Sequence, residues 1–117
     1  MDAIAAIGAL AALAQTTRLE TFRLLVSREP DGVAAGELAR MLAVPQNTMS
    51  SHLAVLARAG LVRGERRSRS IIYRADLVRF RDVVLFLVQD CCSGRSELCG
   101  SLPAGLLPWC AEEGPRS

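Results

Sequence analysis

The feature that most constrains the chain is the segment spanning residues 45–61. Its apolar side chains Met49, Leu53 and Leu56 recur at helical spacing, so one face of this helix is predicted to pack against a core. The helix begins on its other face with small polar side chains, namely Gln46, Asn47, Thr48, Ser50 and Ser51. Gln and Asn can pair bidentately with adenine edges, and hydroxyl and first-turn N–H groups suit phosphate. The start of the helix is therefore predicted to read DNA.

A second, shorter helix is predicted just before this one, over residues 36–42. The connection Ala43-Val44-Pro45 is short enough to form only a tight turn. Two helices joined in this way predict a helix-turn-helix, although an ordinary helical hairpin with a solvated polar face would give the same pattern. The shorter helix lacks a favourable N-cap, because Ala34 and Ala35 stand where Ser, Thr or Asp is preferred.

Two short strands are predicted after Gly60. This glycine is well placed to end the helix predicted to read DNA, which we call the reading helix. The strands are Leu61–Arg63 and Ser70–Arg74, and the loop between them carries three arginines, Arg66, Arg67 and Arg69. Such a hairpin cannot belong to a core. Beside a helix-turn-helix it predicts a wing that grips the DNA backbone or an adjacent minor groove, whereas in isolation it would fit a solvated hairpin tip equally well.

The basic residues of the chain are concentrated in the same region, which favours it as a DNA-binding surface. The formal net charge is only +2, but residues 35–74 hold seven of the fourteen basic residues and two of the twelve acids. A basic middle between mildly acidic ends localises a polyanion-binding surface to the helix-turn-helix and the wing.

Three further helices are predicted around this region. Residues 3–14 are apolar almost all round, which requires burial, and the S/T-x-x-E spacing of Thr17 and Glu20 predicts a capping box at the start of the next helix. That second helix is expected to place Leu19, Phe22, Leu25 and Val26 on its core face. The last helix, Leu77–Asp90, is apolar on every side in its second half.

Two over-hydrophobic terminal helices predict a dimer interface, because one small domain cannot cover them both. A twofold dimer would place two reading helices in successive major grooves, about 34–36 Å apart, and therefore predicts an inverted-repeat operator.

A chain of 117 residues is predicted to form one domain with a modest core. The longest apolar run, Ile4–Ala14, is too short to span a bilayer and follows Asp2 rather than a basic region, so neither a transmembrane helix nor a signal peptide is predicted. We therefore expect a cytoplasmic protein without a membrane partner. Its four cysteines are then expected to be reduced, which favours metal binding or thiol chemistry over structural disulfides.

Three phrases accompany this order of elements: Gly36-Glu37-Leu38-Ala39, Thr48-Met49-Ser50-Ser51-His52-Leu53 and Gly60-Leu61-Val62. In this combination the chain resembles the ArsR/SmtB family of dimeric winged-helix repressors over residues 5–90. The resemblance implies a repressor that an inducer releases from DNA. It also implies that His52 is a helix scaffold residue or a phosphate neighbour, and not a metal ligand.

The two inducer sites common in that family are absent from this sequence. Residues 39–42 hold no cysteine and the last helix holds no histidine. The chain has instead Cys91, Cys92 and Cys99, which look like the C-terminal cysteine cluster of a subset of arsenic-responsive members. Soft thiolates select thiophilic ions. As(III) takes three sulfurs in a pyramid, and Gly94 would let the segment fold back so that one subunit supplies all three.

Other interpretations of the cysteines remain open from sequence. A zinc site of four thiolates would also need Cys110. A sensor of oxidants or persulfides would use the same thiols, although a thiol at the C-terminal end of a helix faces the negative end of the dipole. Cys91 taken alone also fits a small buried hydrophobe.

The sequence thus predicts a mainly α fold with a two-stranded β wing, which is a winged helix-turn-helix that dimerises through its N- and C-terminal helices. Residues 1–92 are expected to form the DNA-binding and dimerisation domain, and residues 93–117 an irregular tail that contributes an inducer ligand. The predicted function is an arsenite-responsive repressor, not an enzyme, that binds double-stranded operator DNA. Sb(III) or a methylated arsenical could replace arsenite as inducer. The alternatives are a regulator responding to thiol oxidation, persulfide or another metal, and a small thiol oxidoreductase.

Overall fold

The computed structural model of the chain describes the backbone of residues 1–94 and the side chains of residues 1–89. Five helices and three strands follow one another along it: α1 Ala3–Leu13, α2 Thr16–Ser27, β1 Val33–Ala34, α3 Ala35–Met41, α4 Gln46–Arg58, β2 Val62–Arg67, β3 Ser70–Ala75 and α5 Leu77–Gly94. Residues 1–83 form one compact unit, and a second unit begins at Val84 within α5. The mainly α winged-helix fold predicted from the sequence is confirmed.

The wing contains one strand more than predicted. β3 lies in the middle of an antiparallel sheet of order β1-β3-β2, because Val33 and Ala34 pair with Tyr73 and Ile72. The predicted two-stranded wing is therefore part of a three-stranded sheet. β2 also continues to Arg67, four residues beyond the predicted Arg63, because the loop is only the two-residue turn Ser68–Arg69.

The core of the first unit is built from helix faces and the base of the wing. Its largest fully buried apolar side chains lie on α2, α3, α4, β2 and α5, and at the residue just before β2. They are Leu25, Leu38, Met49, Leu53, Leu56, Leu61, Val62 and Val83. Because α4 supplies three of them, the helix predicted to read DNA is also anchored most firmly in the core.

The predicted start of α2 is wrong, and its predicted core face is correct for Phe22 and Leu25, which are buried, but wrong for the other two residues. The N-cap is Gln15, whose Oε1 accepts the Arg18 N–H at 2.8 Å, so Thr17 and Glu20 do not form a capping box. Thr21 takes the core position instead of Leu19 and Val26, which are both exposed. A buried threonine is tolerated here because its hydroxyl donates to the Thr17 carbonyl oxygen at 2.7 Å.

The two terminal helices differ from prediction in detail. α1 buries only its small side chains, Ala6, Ala9 and Ala12, and leaves Ile4 and Ile7 exposed at 81% and 64%. α5 begins at Leu77 as predicted but passes Asp90 and ends at Gly94, so its last turn includes Cys91 and Cys92. Residues 95–117, with the predicted ligand Cys99, lie outside the described residues.

Candidate nucleic-acid interface

The polar face of α4 is open to solvent. All five side chains predicted to read DNA are exposed: Gln46, Asn47, Thr48, Ser50 and Ser51. The opposite face is fully buried through Met49, Leu53 and Leu56, as the helical spacing predicts. The core therefore holds the helix while leaving its polar residues free for a partner.

The first turn of α4 offers backbone donors as well. Its N-cap is Pro45, which cannot cap through a side chain, and the first intrahelical bond runs from the Met49 N–H to the Pro45 carbonyl oxygen at 2.9 Å. The Thr48 N–H donates to Asn47 Oδ1 at 2.9 Å. The N–H groups of Gln46 and Asn47 find no acceptor in the described part of the chain. Free N–H groups at the positive end of a helix suit a phosphate oxygen.

A tight turn sets the position of α4 relative to α3. Ala43 adopts a left-handed φ of 55°, and the Val44 N–H donates to the Ala39 carbonyl oxygen at 2.9 Å. α3 has Ala34 as N-cap with no side-chain hydrogen bond, as predicted. The pair has the arrangement of a helix-turn-helix, with α4 as its second helix.

Gly60 ends the reading helix as predicted. It adopts φ +82° two residues after Arg58, the last residue of α4, and the Leu61 N–H donates to the Leu56 carbonyl oxygen at 3.0 Å. This left-handed glycine is the usual device for ending a helix and turning the chain into the next element. A Cβ at Gly60 would also lie 2.5 Å from Arg79 Nε, so the Arg79 side chain would have to move to admit a larger residue.

The arginines predicted in the wing lie at its tip. Arg66 and Arg67 end β2, Arg69 lies in the turn, and all three are exposed. Arg67 Nη2 lies 3.2 Å from Glu65 Oε1, so part of its charge is already neutralised. The wing tip thus presents an exposed basic group of three arginines with one acid beside it.

Asp76 joins the wing to α5 and was not among the residues predicted from the sequence. Its Oδ1 accepts the Arg79 N–H at 3.0 Å, so it caps the first turn of α5, and its Oδ2 lies 3.6 Å from Arg63 Nε on β2. Its own N–H donates to the Leu61 carbonyl oxygen at 2.8 Å. An Asp directly before an apolar helical run is a recognised N-cap signal, so this residue could have been found.

Arg18 was also missed, and it connects three helices. It lies on α2, its Nε donates to the Ala12 carbonyl oxygen near the end of α1 at 2.7 Å, and its Nη1 lies 3.3 Å from His52 Nδ1 on α4. His52 is half-buried between exposed Ser51 and buried Leu53. No local sequence signal links residues 34 positions apart.

The predicted inducer ligands lie beyond the residues whose side chains the structure describes. Cys91 and Cys92 are in the last turn of α5, which ends at Gly94, and Cys99 lies outside the described residues. Among the residues whose side chains are described, no three His, Cys, Asp or Glu groups come together as a metal site. Within the same part of the chain, no helix is long and apolar enough to cross a membrane.

A family model described as a helix-turn-helix domain matches residues 13–65. Solved structures that resemble the chain include an ArsR-like transcriptional regulator from Rhodococcus sp. RHA1, with 25% identity and a TM-score of 0.67, covering 89% of this chain and 93% of that one. A comparison with curated protein sequences finds no match.

Two further solved structures are similar. NolR from Sinorhizobium fredii is 30% identical with a TM-score of 0.60, and the match covers 74% of this chain and 84% of NolR. The homodimeric winged helix-turn-helix DNA-binding domain of Mb0332 from Mycobacterium bovis is 26% identical with a TM-score of 0.61, and the match covers 74% of this chain and 80% of that domain.

Proposed function

The chain belongs to the ArsR family of winged-helix transcriptional regulators, and on that premise we propose that it is an arsenite-responsive repressor. In this proposal it binds operator DNA as a homodimer and releases it when As(III) binds Cys91, Cys92 and Cys99. The observation that carries DNA binding is the exposed polar start of α4 in a chain whose wing tip also exposes three arginines. The helix would read base edges in the major groove while the wing contacts phosphates.

The proposed roles follow the chemistry of each group. Gln46 and Asn47 would pair with base edges, and Thr48, Ser50 and Ser51 would contact bases or phosphates. Because Asn47 Oδ1 already accepts the Thr48 N–H, its amide NH₂ is the part left for DNA. Arg66, Arg67 and Arg69 would hold the backbone, which supplies affinity with little sequence information.

Dimerisation is supported by the orientation of α1. The helix turns its alanines to the core and exposes its large apolar side chains, Ile4, Ile7 and Leu10. A row of isoleucine and leucine left in water is costly, and a second copy of the same face would remove it from solvent. The homodimeric state of the similar Mycobacterium bovis domain supports the same assignment.

The inducer is proposed from the donor set. Three thiols in nine residues, without a histidine among them, suit a soft ion that accepts three sulfurs. The last turn of α5 keeps the backbones of Cys91 and Cys92 adjacent, so two of the three donors start close together. When bound, As(III) would supply three As–S bonds that draw Cys99 toward the end of α5.

A release experiment tests this proposal. A labelled duplex selected by the protein from a randomised library is bound and titrated with arsenite under reducing conditions. Arsenite is expected to release the wild-type protein, whereas Cys91→Ser, Cys92→Ser and Cys99→Ser should bind DNA equally well and resist release. Cys110→Ser, the matched control in the same region, should behave as wild type.

Other outcomes would redirect the proposal in specific ways. A normal arsenite response in Cys99→Ser would reduce the site to a vicinal dithiol and favour a methylated arsenical. Loss of response in Cys110→Ser would favour a four-sulfur, zinc-like site. Release by hydrogen peroxide but not by arsenite would contradict the arsenic assignment and favour a thiol-redox signal.

A further inference from the structure

The apolar contacts of α4 determine which face of the helix is buried, and a directional contact can set its rotation about the axis more closely. Met49, Leu53 and Leu56 hold it through hydrophobic burial, which is non-directional. A rotation of about 20° would move side-chain tips about 2 Å, because a helix with side chains has a radius of about 5–6 Å. Base hydrogen bonds do not survive a displacement of that size. A directional contact on α4 is therefore expected to matter for sequence reading.

Arg18 provides such a contact at the edge of the core. Its guanidinium donates in two directions at once, to the Ala12 carbonyl oxygen at 2.7 Å and toward His52 Nδ1 at 3.3 Å. A guanidinium has only donors, so this contact is a hydrogen bond when Nδ1 is the acceptor and the ring proton lies on Nε2. In that tautomer the pair would hold the His52 ring in one orientation against α2.

We propose that Arg18 is a positioning residue for sequence-specific DNA binding, which sets the rotation of α4 through His52 and ties it to the end of α1. The proposal rests on the DNA-binding function proposed above. Since α1 is the helix proposed to form the dimer interface, Arg18 connects that interface directly with α4. The only other polar side-chain contact described between α2 and α4 is from Thr21 Oγ1 to Met49 Sδ at 3.8 Å, which is weak.

The substitutions at His52 separate hydrogen bonding from simple packing. In His52→Asn the side-chain oxygen can occupy the position of Nδ1 and accept from Arg18, whereas His52→Leu fills the space without an acceptor. Arg18→Met removes the donor from the other side. Arg23→Met is the matched control, because Arg23 is an exposed arginine of the same helix and makes no side-chain hydrogen bond within the described residues.

Affinity is measured for a duplex selected by the wild-type protein and for a scrambled duplex, together with the melting temperature of each variant. We expect His52→Leu to weaken binding to the selected duplex about tenfold, the size of one lost charged hydrogen bond, and Arg18→Met to weaken it at least as much, with a much smaller loss on scrambled DNA. The double variant should resemble Arg18→Met, because Arg18→Met already removes the His52 contact together with the bond to the Ala12 carbonyl oxygen. His52→Asn and Arg23→Met should remain close to wild type.

Three DNA-binding results would overturn the proposal: a loss in His52→Asn as large as in His52→Leu, multiplied losses in the double variant, or equal losses on both duplexes.

A measurement without DNA distinguishes failure of the Arg18–His52 contact from failure of the proposed DNA-binding function. His52 is the only histidine of the chain, so its ring nitrogens can be assigned directly in a nitrogen-15 spectrum. In the wild-type protein we expect the ring proton of His52 on Nε2. In Arg18→Met we expect the ring nitrogen signals to change, because the donor to Nδ1 is gone. An Nδ1–H tautomer would refute the contact, while failure of wild type to select any sequence would refute DNA reading itself.

Discussion

Glu29 and Arg74 form a two-bond ion pair that ties the central strand of the wing to the segment before β1. Arg74 Nη2 donates to Glu29 Oε1 at 2.8 Å, and Arg74 Nε donates to Oε2 at 3.3 Å. The Glu29 side chain is 19% exposed and that of Arg74 is 40% exposed, so the pair is partly screened by water. The hydrogen bond from Arg74 lowers the pKa of Glu29 below its ordinary value.

This lowered pKa predicts a pH-dependent stability of the wing. A carboxylate whose pKa is lowered on folding stabilises the folded state above its ordinary pKa of 4.5, and the stabilisation is lost as pH falls through the lower folded value. Glu29→Gln should therefore lower the melting temperature at neutral pH, and its difference from wild type should narrow below about pH 4.5. Glu20→Gln, an exposed acid of α2, serves as the control. A Glu29→Gln difference that stayed constant down to pH 2 would contradict this role.

The exposed isoleucines of α1 predict where the dimer can be broken. Ile4→Glu or Ile7→Glu would place a charge in the proposed interface, which costs several kcal/mol if it is buried unpaired. Sedimentation velocity should then show monomers at concentrations where wild type is dimeric. Leu19→Glu introduces the same charge at an exposed apolar position of α2 and should leave the dimer intact. Dissociation by Leu19→Glu instead would locate the interface on α2.

The wing arginines are expected to act on all DNA sequences alike. Arg69→Ala should weaken binding to selected and scrambled duplexes to a similar degree and reduce the salt slope by about 1, since one phosphate contact is lost. Arg67→Ala should have a smaller effect, because Glu65 already lies 3.2 Å from its guanidinium. Glu65→Gln should raise affinity for both duplexes. A change in base preference with an unchanged slope would show that the wing reads bases.

The start of α4 is expected to carry sequence information. Gln46→Ala should relax specificity at particular base pairs by about 1–3 kcal/mol if the amide makes a bidentate contact. Arg40→Ala on α3 is a suitable control, since Arg40 is exposed but already paired with Glu37 at 2.6 Å. Binding to a panel of duplexes, each with one base pair changed, measures the effect. An even loss across the whole panel would count against base reading by Gln46.

Local patterns were sufficient to predict the helix-turn-helix and the end of its second helix. The spacing of Met49, Leu53 and Leu56 specifies one buried face, and Gly60 supplies the left-handed residue that ends the segment. The wing was predicted from its arginines but with strands too short, because β2 continues through exposed residues with no apolar alternation. The two-residue β1 exists only through pairing with β3, which no local pattern could indicate.

Errors in α2 have a different physical origin. Gln is an uncommon N-cap, so Gln15 carried no signal, while the Thr17 and Glu20 spacing matched a capping box that does not form. Leu19 and Val26 are as apolar as the residues that are buried, and only tertiary packing shows that Thr21 takes the core position. Contacts such as Arg18 with His52 likewise depend on the fold.

Footprinting on a duplex selected by the wild-type protein tests the central claim most directly. A dimeric winged-helix regulator should protect two half-sites arranged as an inverted repeat, with centres about 34–36 Å apart along the helix axis. Minor-groove or backbone protection by the two wings should flank these half-sites symmetrically. Protection of an inverted repeat with this spacing is the result we predict. Uniform protection without a selected sequence, or a single half-site bound by a monomer, would contradict it.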